Sequence, residues 1–206
     1  MDNKAMHKLS YGLFVVTAKE GAKDNGCITN TVMQVTTTPN RITVAVNKDN
    51  YTHDMIMNTE VFNVSVLSEE ATFDVFKHFG FQSGRTVDKF ADFTDYARAE
   101  NGVTYVTKGV NAMISAKVLY AINLDTHTLF VAEVTDAMTL SDAPSATYAY
   151  YHAHIKPKPA AKTAPATKSV WRCKICGYEV EAEELAADFV CPICKHPRED
   201  FEKIVK

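Results

Sequence analysis

The sequence predicts a protein that is mainly β with some helix, built as an antiparallel β-barrel followed by a small metal-binding domain. Short runs rich in β-branched residues, separated by turn residues, recur through residues 1–152. The sequence contains no Gly-x-Gly-x-x-Gly, which disfavours a doubly wound dinucleotide-binding fold. Two Cys-x-x-Cys pairs near the C-terminus indicate the second domain.

The elements of residues 1–152 follow from turn residues and hydrophobic patterns. Asp24-Asn25-Gly26 is typical of a tight turn because Asn-Gly tolerates positive φ, and Pro39-Asn40 predicts another turn. Thr52 is expected to cap a short helix, and Ser68 to begin a helix that stops at Gly80. Strands are predicted at residues 11–19, 27–36, 41–47, 61–67, 103–107, 112–123 and 128–140, with the last two forming a hairpin.

Composition limits the class of protein. The chain has 206 residues, 46% hydrophobic and 23% charged, which is typical of a medium globular domain plus a small one. A formal net charge of −3 argues against nucleic acid or an anionic membrane surface as the main partner. No apolar run reaches transmembrane length, and the N-terminus lacks a signal-peptide pattern. Four of the five cysteines lie in the metal motif, so we expect the reducing environment of the cytoplasm.

Composition also divides the chain into three parts. Residues 1–152 form the predicted barrel domain, and residues 169–206 form the small domain. Between them, residues 153–168 are rich in Pro, Ala and Lys and show no apolar periodicity. Such a segment is predicted to be an extended, semi-rigid linker.

The two Cys-x-x-Cys pairs are separated by 14 residues and predict one tetrahedral metal site. The predicted ligands are Cys173, Cys176, Cys191 and Cys194. A bound metal would replace the hydrophobic core that a domain of this size cannot build alone. Two disulfides or four free thiols are the alternatives, and the four-cysteine ligand set suits iron and zinc alike.

Polar residues cluster on one predicted strand and two predicted loops. The helix N-terminus at Thr52 and the cation Arg85 in Ser83-Gly84-Arg85 are groups that a phosphate requires. Each cluster alone is more typical of an ordinary polar turn or a solvent-facing strand than of a ligand site. Cys27 is expected to be a small core residue rather than a redox thiol.

Residues 25–56 resemble the flavin reductase-like family. The matching positions are Asn25, Gly26, Thr29, Gln34, Val35, Thr36, Asn47, Lys48 and Thr52, and the resemblance extends over about residues 5–152. It implies a split β-barrel and a homodimer with FMN in each of two clefts near the subunit interface. The FMN contacts that it implies are Thr29, Asn30, Thr31, Gln34, Asn47, Lys48, Thr52, His53, Ser83 and Arg85. His127 is implied near the nicotinamide, although an inserted Thr126 and the replacement of Gly by Leu124 depart from the family pattern.

The C-terminal domain resembles rubredoxin. The similarity lies in Trp171, the Cys-x-x-Cys-Gly-Tyr that follows it, and Asp200-Phe201-Glu202. The gap between the pairs is shorter than in free-standing rubredoxins, and Lys195 replaces the Gly expected after Cys194. A neighbouring flavin domain favours iron, while a zinc ribbon is the alternative.

Together the two resemblances are similar to the high-molecular-weight rubredoxin architecture. This implies an NAD(P)H-dependent oxidoreductase in which hydride passes to FMN and single electrons pass to an Fe(Cys)4 centre. A redox partner protein, such as a flavodiiron O2 or NO reductase, would accept them. The chemistry would belong to the cofactors, so no acid–base catalytic side chain is expected. The alternatives are a flavin reductase that supplies reduced flavin to another enzyme and a zinc-ribbon binding protein.

Overall fold

The computed structural model describes residues 2–157 and 170–204. The chain divides into two compact units, Met1–Pro157 and Lys158–Lys206. Residues 158–168 of the predicted linker lie outside the described residues. Within the described ranges, every helix is too short to cross a lipid bilayer.

A seven-stranded antiparallel sheet is the main element of residues 2–157. Its order is β2-β1-β5-β8-β9-β4-β3. The strands of this unit are β1 (Phe14–Glu20), β2 (Lys23–Thr29), β3 (Met33–Thr37), β4 (Asn40–Asn47), β5 (Val61–Leu67), β6 (Tyr96–Arg98), β7 (Thr104–Val106), β8 (Val110–Leu124) and β9 (His127–Thr139), of which β6 and β7 form a separate hairpin. The helices are a 3-10 helix at Asn3–Lys8, α1 (Tyr51–Thr59), α2 (Phe73–Gly80) and α3 (Tyr148–Tyr150), which continues into a π-helical segment at Tyr151–Ile155.

The two edge strands of this sheet, β2 and β3, are consecutive in the chain and joined by residues 30–32. The Thr31 hydroxyl accepts the Ala45 N–H at 3.1 Å and donates to the Ala45 carbonyl at 2.7 Å. These bonds continue the pairing of β3 with β4, in which Met33 lies opposite Thr43. The link between the two edge strands is thus tied to β4, which brings the ends of the curved sheet together as a barrel requires.

The barrel encloses one hydrophobic cluster. Val44 and Val64 of facing strands, together with Phe62 and Phe130, are fully buried there. Helix α1 adds Met55 to the same cluster, so this helix is fixed on the barrel by apolar packing.

A second cluster lies on the opposite face of β1, around Leu13 and Val15. Phe76 and Phe79 of α2 pack there with Tyr151, whose ring centroid is 4.5 Å from that of Phe76. Ile155 also packs against this cluster. Helical structure therefore extends to residue 155, three residues into the range predicted as linker.

Two local predictions in this domain are wrong. Asp24-Asn25-Gly26 lies inside strand β2, and the chain turns instead at Gly21, which takes the required positive φ of 58°. Asn25 is buried and donates to the Thr52 hydroxyl at 3.0 Å, so tertiary contacts override its turn preference. Thr52 is consequently an interior helix residue, and Asn50 occupies the N-cap position.

Two further boundaries differ from the prediction. The second helix starts at Phe73 rather than at Ser68, because Ser68 forms a β-bridge with Ser145. The predicted strand at residues 27–36 is interrupted at residues 30–32, where the barrel closes.

The C-terminal unit is a small three-stranded sheet with the order β11-β10-β12. Its core consists of Leu185, Phe201 and two buried cysteines, with Phe189 meeting Phe201 edge to face at 5.3 Å. The elements are β10 (Val170–Cys173), β11 (Glu179–Glu181), a 3-10 helix at Arg198–Asp200 and β12 (Phe201–Ile204).

Replacing Met55 by alanine should destabilise the barrel by about 2–5 kcal/mol, because the substitution leaves a cavity under α1. Met57→Ala is the matched control, since Met57 lies on the same helix and is 46% exposed; it should cost less than about 0.5 kcal/mol. Urea unfolding followed by far-ultraviolet circular dichroism measures both, because the single tryptophan, Trp171, lies in the other unit. Equal losses in the two variants would contradict the assigned packing of α1.

Candidate functional site

A cleft of about 380 Å³ lies on the barrel domain, a size within the range of small-molecule sites. Strand β2, the start of α1 and the loop after α2 form its walls. The lining residues are Asn25, Cys27, Asp49, Asn50, Tyr51, Thr52, Gly80, Phe81, Gln82, Ser83, Gly84 and Lys89. Of the predicted FMN contacts, Thr52 and Ser83 line it directly.

Two cations lie beside Tyr51 of the lining. The Arg85 guanidinium is 5.3 Å from the Tyr51 ring centroid and binds Asp54 at 2.7 Å. Lys23 is 4.7 Å from the same ring and donates to the Gly84 carbonyl at 2.7 Å. The hydrogen bond from His53 and the charge of Arg85 hold the pKa of Asp54 below its usual value. The helix N-terminus and these cations make this part of the cleft suitable for an anion.

Sequence reasoning missed Lys23, Asn25 and Lys89 as members of this site. Lys23, Asn25 and Cys27 alternate along β2, so a period of two was the available signal. The turn assignment at Asp24-Asn25-Gly26 hid that signal. No sequence signal marked Lys89.

The lining contains an unpaired buried oxygen. Asn25 is 1% exposed and its Oδ1 has no hydrogen-bond partner among the described residues. Such an atom is costly unless a ligand or water pairs with it. Gly84 lies directly against it, since a Cβ at Gly84 would be 2.2 Å from Asn25 Oδ1. Together with the cations, this polar lining fits a phosphate-bearing ligand such as a flavin nucleotide.

The other predicted FMN contacts discussed next lie at the end of β2, in the link of residues 30–32, on β3 and after β4. Thr29 and Thr31 share a hydrogen bond at 2.7 Å, beside Asn30. Gln34 donates to Asn40, an exposed contact. Lys48 donates to Asn123 at 2.6 Å, on the β8–β9 hairpin. These side chains do not line the cleft described above.

Two histidines bracket the start of β9. His53 is buried, and its Nε2 is 2.8 Å from the Thr128 hydroxyl. His127 begins β9, pairs with Asn47 across the sheet, and has its Nδ1 2.9 Å from the hydroxyl of Thr126. The inserted Thr126 therefore lies in the turn and hydrogen-bonds His127.

The four predicted metal ligands converge in the C-terminal unit. Their sulfur atoms lie within 4.8 Å of one another. The separations are 3.6 Å for Cys173 to Cys194 and 3.5 Å for Cys176 to Cys191. Four sulfurs about 2.3 Å from one metal would be about 3.8 Å apart, so the arrangement fits a tetrahedral ion. A disulfide requires about 2.05 Å, and all four cysteines are free thiols.

Each Cys-x-x-Cys pair with the residue that follows it forms a turn, here called a knuckle. The two knuckles have the same backbone geometry, although Gly177 ends the first and Lys195 the second. Gly177 has a φ of 75° and donates to the Cys173 carbonyl at 2.9 Å. Lys195 takes a φ of 61° and donates to the Cys191 carbonyl at 3.0 Å. A left-handed backbone conformation costs a lysine about 1 kcal/mol, and the convergence of the four sulfurs compensates this cost.

Backbone amides also point at the sulfurs. Burial acts to raise the pKa of Cys191, but hydrogen bonds from the N–H groups of Cys194 and Ile193, together with the neighbouring thiols, lower it to about 6. Backbone hydrogen bonds from Tyr178 and His196 also act to lower the pKa of Cys176 and of Cys194, but burial and the neighbouring thiols raise both pKa values above the usual one. Such groups stabilise a bound metal thiolate and tune its electronics.

Known proteins share both parts of the chain. A family described as "Flavin reductase like domain" matches residues 6–159, and one described as "Rubrerythrin, rubredoxin-like domain" matches residues 171–202. The high molecular weight rubredoxin of Moorella thermoacetica is 36% identical, covering 99% of this chain and 100% of that protein. Ferric-chelate reductase (NAD(P)H) of Archaeoglobus fulgidus is 42% identical over 74% of this chain and 89% of that protein.

Solved structures agree on the barrel. The NADH:FAD oxidoreductase of Streptomyces globisporus superposes with a TM-score of 0.62 at 24% identity, covering 69% of this chain and 84% of that chain, a likeness of fold alone. The predicted fold class, a split barrel followed by a rubredoxin-like domain, is confirmed. The chain belongs to the flavin reductase-like family and, along its whole length, to the high molecular weight rubredoxins, which makes it an oxidoreductase.

Proposed function

We propose that this oxidoreductase takes electrons from NAD(P)H and delivers them singly to a redox partner protein, using FMN in the barrel and iron in the four-cysteine cage. One observation carries the proposal. The same chain has a cleft suited to a phosphate-bearing ligand with a ring system and a preformed site of four cysteine sulfurs. Bound FMN can accept a hydride and release single electrons, and bound iron can carry one electron at a time.

The barrel residues bind and orient the flavin in this proposal. The phosphate is held by the first turn of α1, which includes Thr52, by the hydroxyl of Ser83 and by the charge of Arg85. Lys23 lies at the same end of the cleft. The remaining predicted contacts, Thr29, Asn30, Thr31, Gln34, Asn47, Lys48 and His53, stay proposals, and so does a nicotinamide contact for His127.

Two further observations concern the electron donor and the assembly. The name of the Archaeoglobus relative includes NAD(P)H, which favours that donor here. Exposed Leu119, Tyr120, Ile122 and Leu124 form an apolar stretch at the end of β8, which supports a homodimer. A flavodiiron protein as acceptor and a cytoplasmic location complete the proposal.

Replacing Cys176 by serine in the full chain should abolish the visible absorption of a ferric tetrathiolate, because one of four sulfur ligands is lost. Flavin reduction by NADH should remain, since the ligand lies in the other unit. Anaerobic absorption spectra and metal analysis measure both, and Cys27→Ser, outside the cluster, should keep its iron. Purified protein that holds only zinc and no flavin would overturn the proposed function.

Replacing Arg85 by methionine should weaken FMN binding about tenfold or more, because a charge-assisted hydrogen bond contributes about 1.5–3 kcal/mol. Riboflavin, which lacks the phosphate, should bind the variant and the parent equally. Arg98→Met is the matched control, since Arg98 also forms an ion pair, with Asp24, but does not lie over the ring of the cleft residue Tyr51 as Arg85 does. Fluorescence titration measures all three, and an equal loss for riboflavin would remove Arg85 from the phosphate site.

A further inference from the structure

Lys89 is a buried cation in the lining of the cleft. Its side chain is 3% exposed, and its Nζ donates to the carbonyls of Gly26 at 2.7 Å and Phe79 at 2.9 Å. One carbonyl belongs to β2 and the other to the last turn of α2. Burial lowers the pKa of Lys89.

The position of this ammonium group is fixed by its surroundings. The carbonyl of Lys89 is 2.6 Å from Nε2 of His78, and the next residue, Phe90, packs against Phe79 at 5.7 Å. Phe93 meets Phe79 edge to face at 5.1 Å. A charge held by packed aromatic rings does not need to reorganise when a ligand binds beside it.

The charge of Lys89 is incompletely compensated. Among the described residues, no carboxylate lies within ion-pair distance of its Nζ. An ammonium group has three N–H donors, and the two carbonyls occupy two of them. A buried charge without a counter-ion is expensive, so a third, electron-rich partner is expected.

Among the described residues, the cleft offers no other cation at this depth. Lys23 and Arg85 lie beside Tyr51, where Arg85 is 46% exposed and already bound to Asp54. A hydrated phosphate suits that partly exposed end, whereas the flatter, less hydrated flavin ring suits the buried part. Lys89 lines the buried part together with Cys27 and Asn25.

We propose that Lys89 is a fixed cation that faces the flavin ring and favours its reduced form over its oxidised form. The proposal rests on the proposed function and deepens it. Hydride transfer from NAD(P)H adds two electrons and one proton to FMN, which makes the ring more negative by one charge, while NAD(P)H leaves as NAD(P)+. A cation fixed beside the ring stabilises that added charge more than it stabilises the neutral oxidised ring.

A purely structural role for Lys89 has a different consequence. The ammonium group also ties β2 to the C-terminal end of α2, where a positive charge is favourable. Loss of that tie alone would weaken both redox forms of FMN equally and would leave the midpoint potential unchanged. The potential therefore separates the two roles.

The test replaces Lys89 by methionine, which has similar length and no charge, in the full FMN-loaded chain. Relative binding of reduced over oxidised FMN should fall about tenfold, which moves the two-electron midpoint potential about 30 mV more negative. Lys89→Arg should keep most of the potential, and Lys77→Met, an exposed lysine on α2, should leave it unchanged. Anaerobic spectroelectrochemistry gives the potentials, and an unchanged potential in Lys89→Met overturns the inference.

A second measurement uses the unaltered protein and so does not depend on a variant that folds. Cys27, Asp49 and Tyr51 are the other titratable residues of the lining, and burial raises the pKa of Cys27, which keeps it neutral. If Lys89 holds the reduced ring as an anion, the midpoint potential should fall by about 30 mV per pH unit between about pH 6 and 8. A slope of about 59 mV across that range, one proton for each electron, overturns the inference. Failure of the protein to bind FMN at all would instead overturn the proposed function.

Discussion

The attachment of the loop after α2 to strand β2 creates the cleft of the barrel domain. Lys23 binds the carbonyl of Gly84, and Lys89 binds the carbonyl of Gly26 from the other end of the same loop. Between these bonds, Gly84 packs so closely on Asn25 that a side chain there would collide with its amide oxygen. Two lysines and one glycine thus hold the connection of residues 81–95 against a strand, and this loop becomes a wall of the cleft.

Because lysines hold this wall, they also place positive charge in the cleft. The same bonds that give the loop its shape bring ammonium groups to both ends of the cleft. The protein unit around them is acidic, with an excess of Asp and Glu in residues 1–152. The positive potential is therefore local, and it depends on folding of the loop rather than on overall charge. An anionic cofactor that binds there also stabilises the loop, since it compensates the buried charge.

The sequence predicts the strands of the barrel well because their alternation is local, and it predicts the metal ligands because two Cys-x-x-Cys pairs leave little freedom. It fails at Asp24-Asn25-Gly26, where Asn-Gly prefers a turn but the buried contact of Asn25 with Thr52 holds a strand. Lys89 could not be found, because an isolated lysine in a loop is ordinarily solvent-exposed. Its burial depends on α2 at Phe79 and on Gly26 of β2, which is 63 residues away in the sequence. Sites assembled from such contacts require the fold before they can be recognised.

The metal centre differs from the Lys89 site, because its geometry is set by short turns in the sequence. Its stability, in contrast, depends on the four cysteines together. Each knuckle is a single turn, and the turn at Lys195 reproduces that at Gly177 with a side chain that disfavours it. The module has few fully buried apolar residues besides Cys173 and Cys191, so its core is largely the cage itself. Metal binding and folding are therefore coupled in this unit. In the barrel, by contrast, a large apolar core supports the cleft whether or not a cofactor is bound. The two sites thus differ in what the cofactor contributes. In the C-terminal unit, metal binding stabilises the fold itself, whereas in the barrel the cofactor binds to a fold that the apolar core already stabilises.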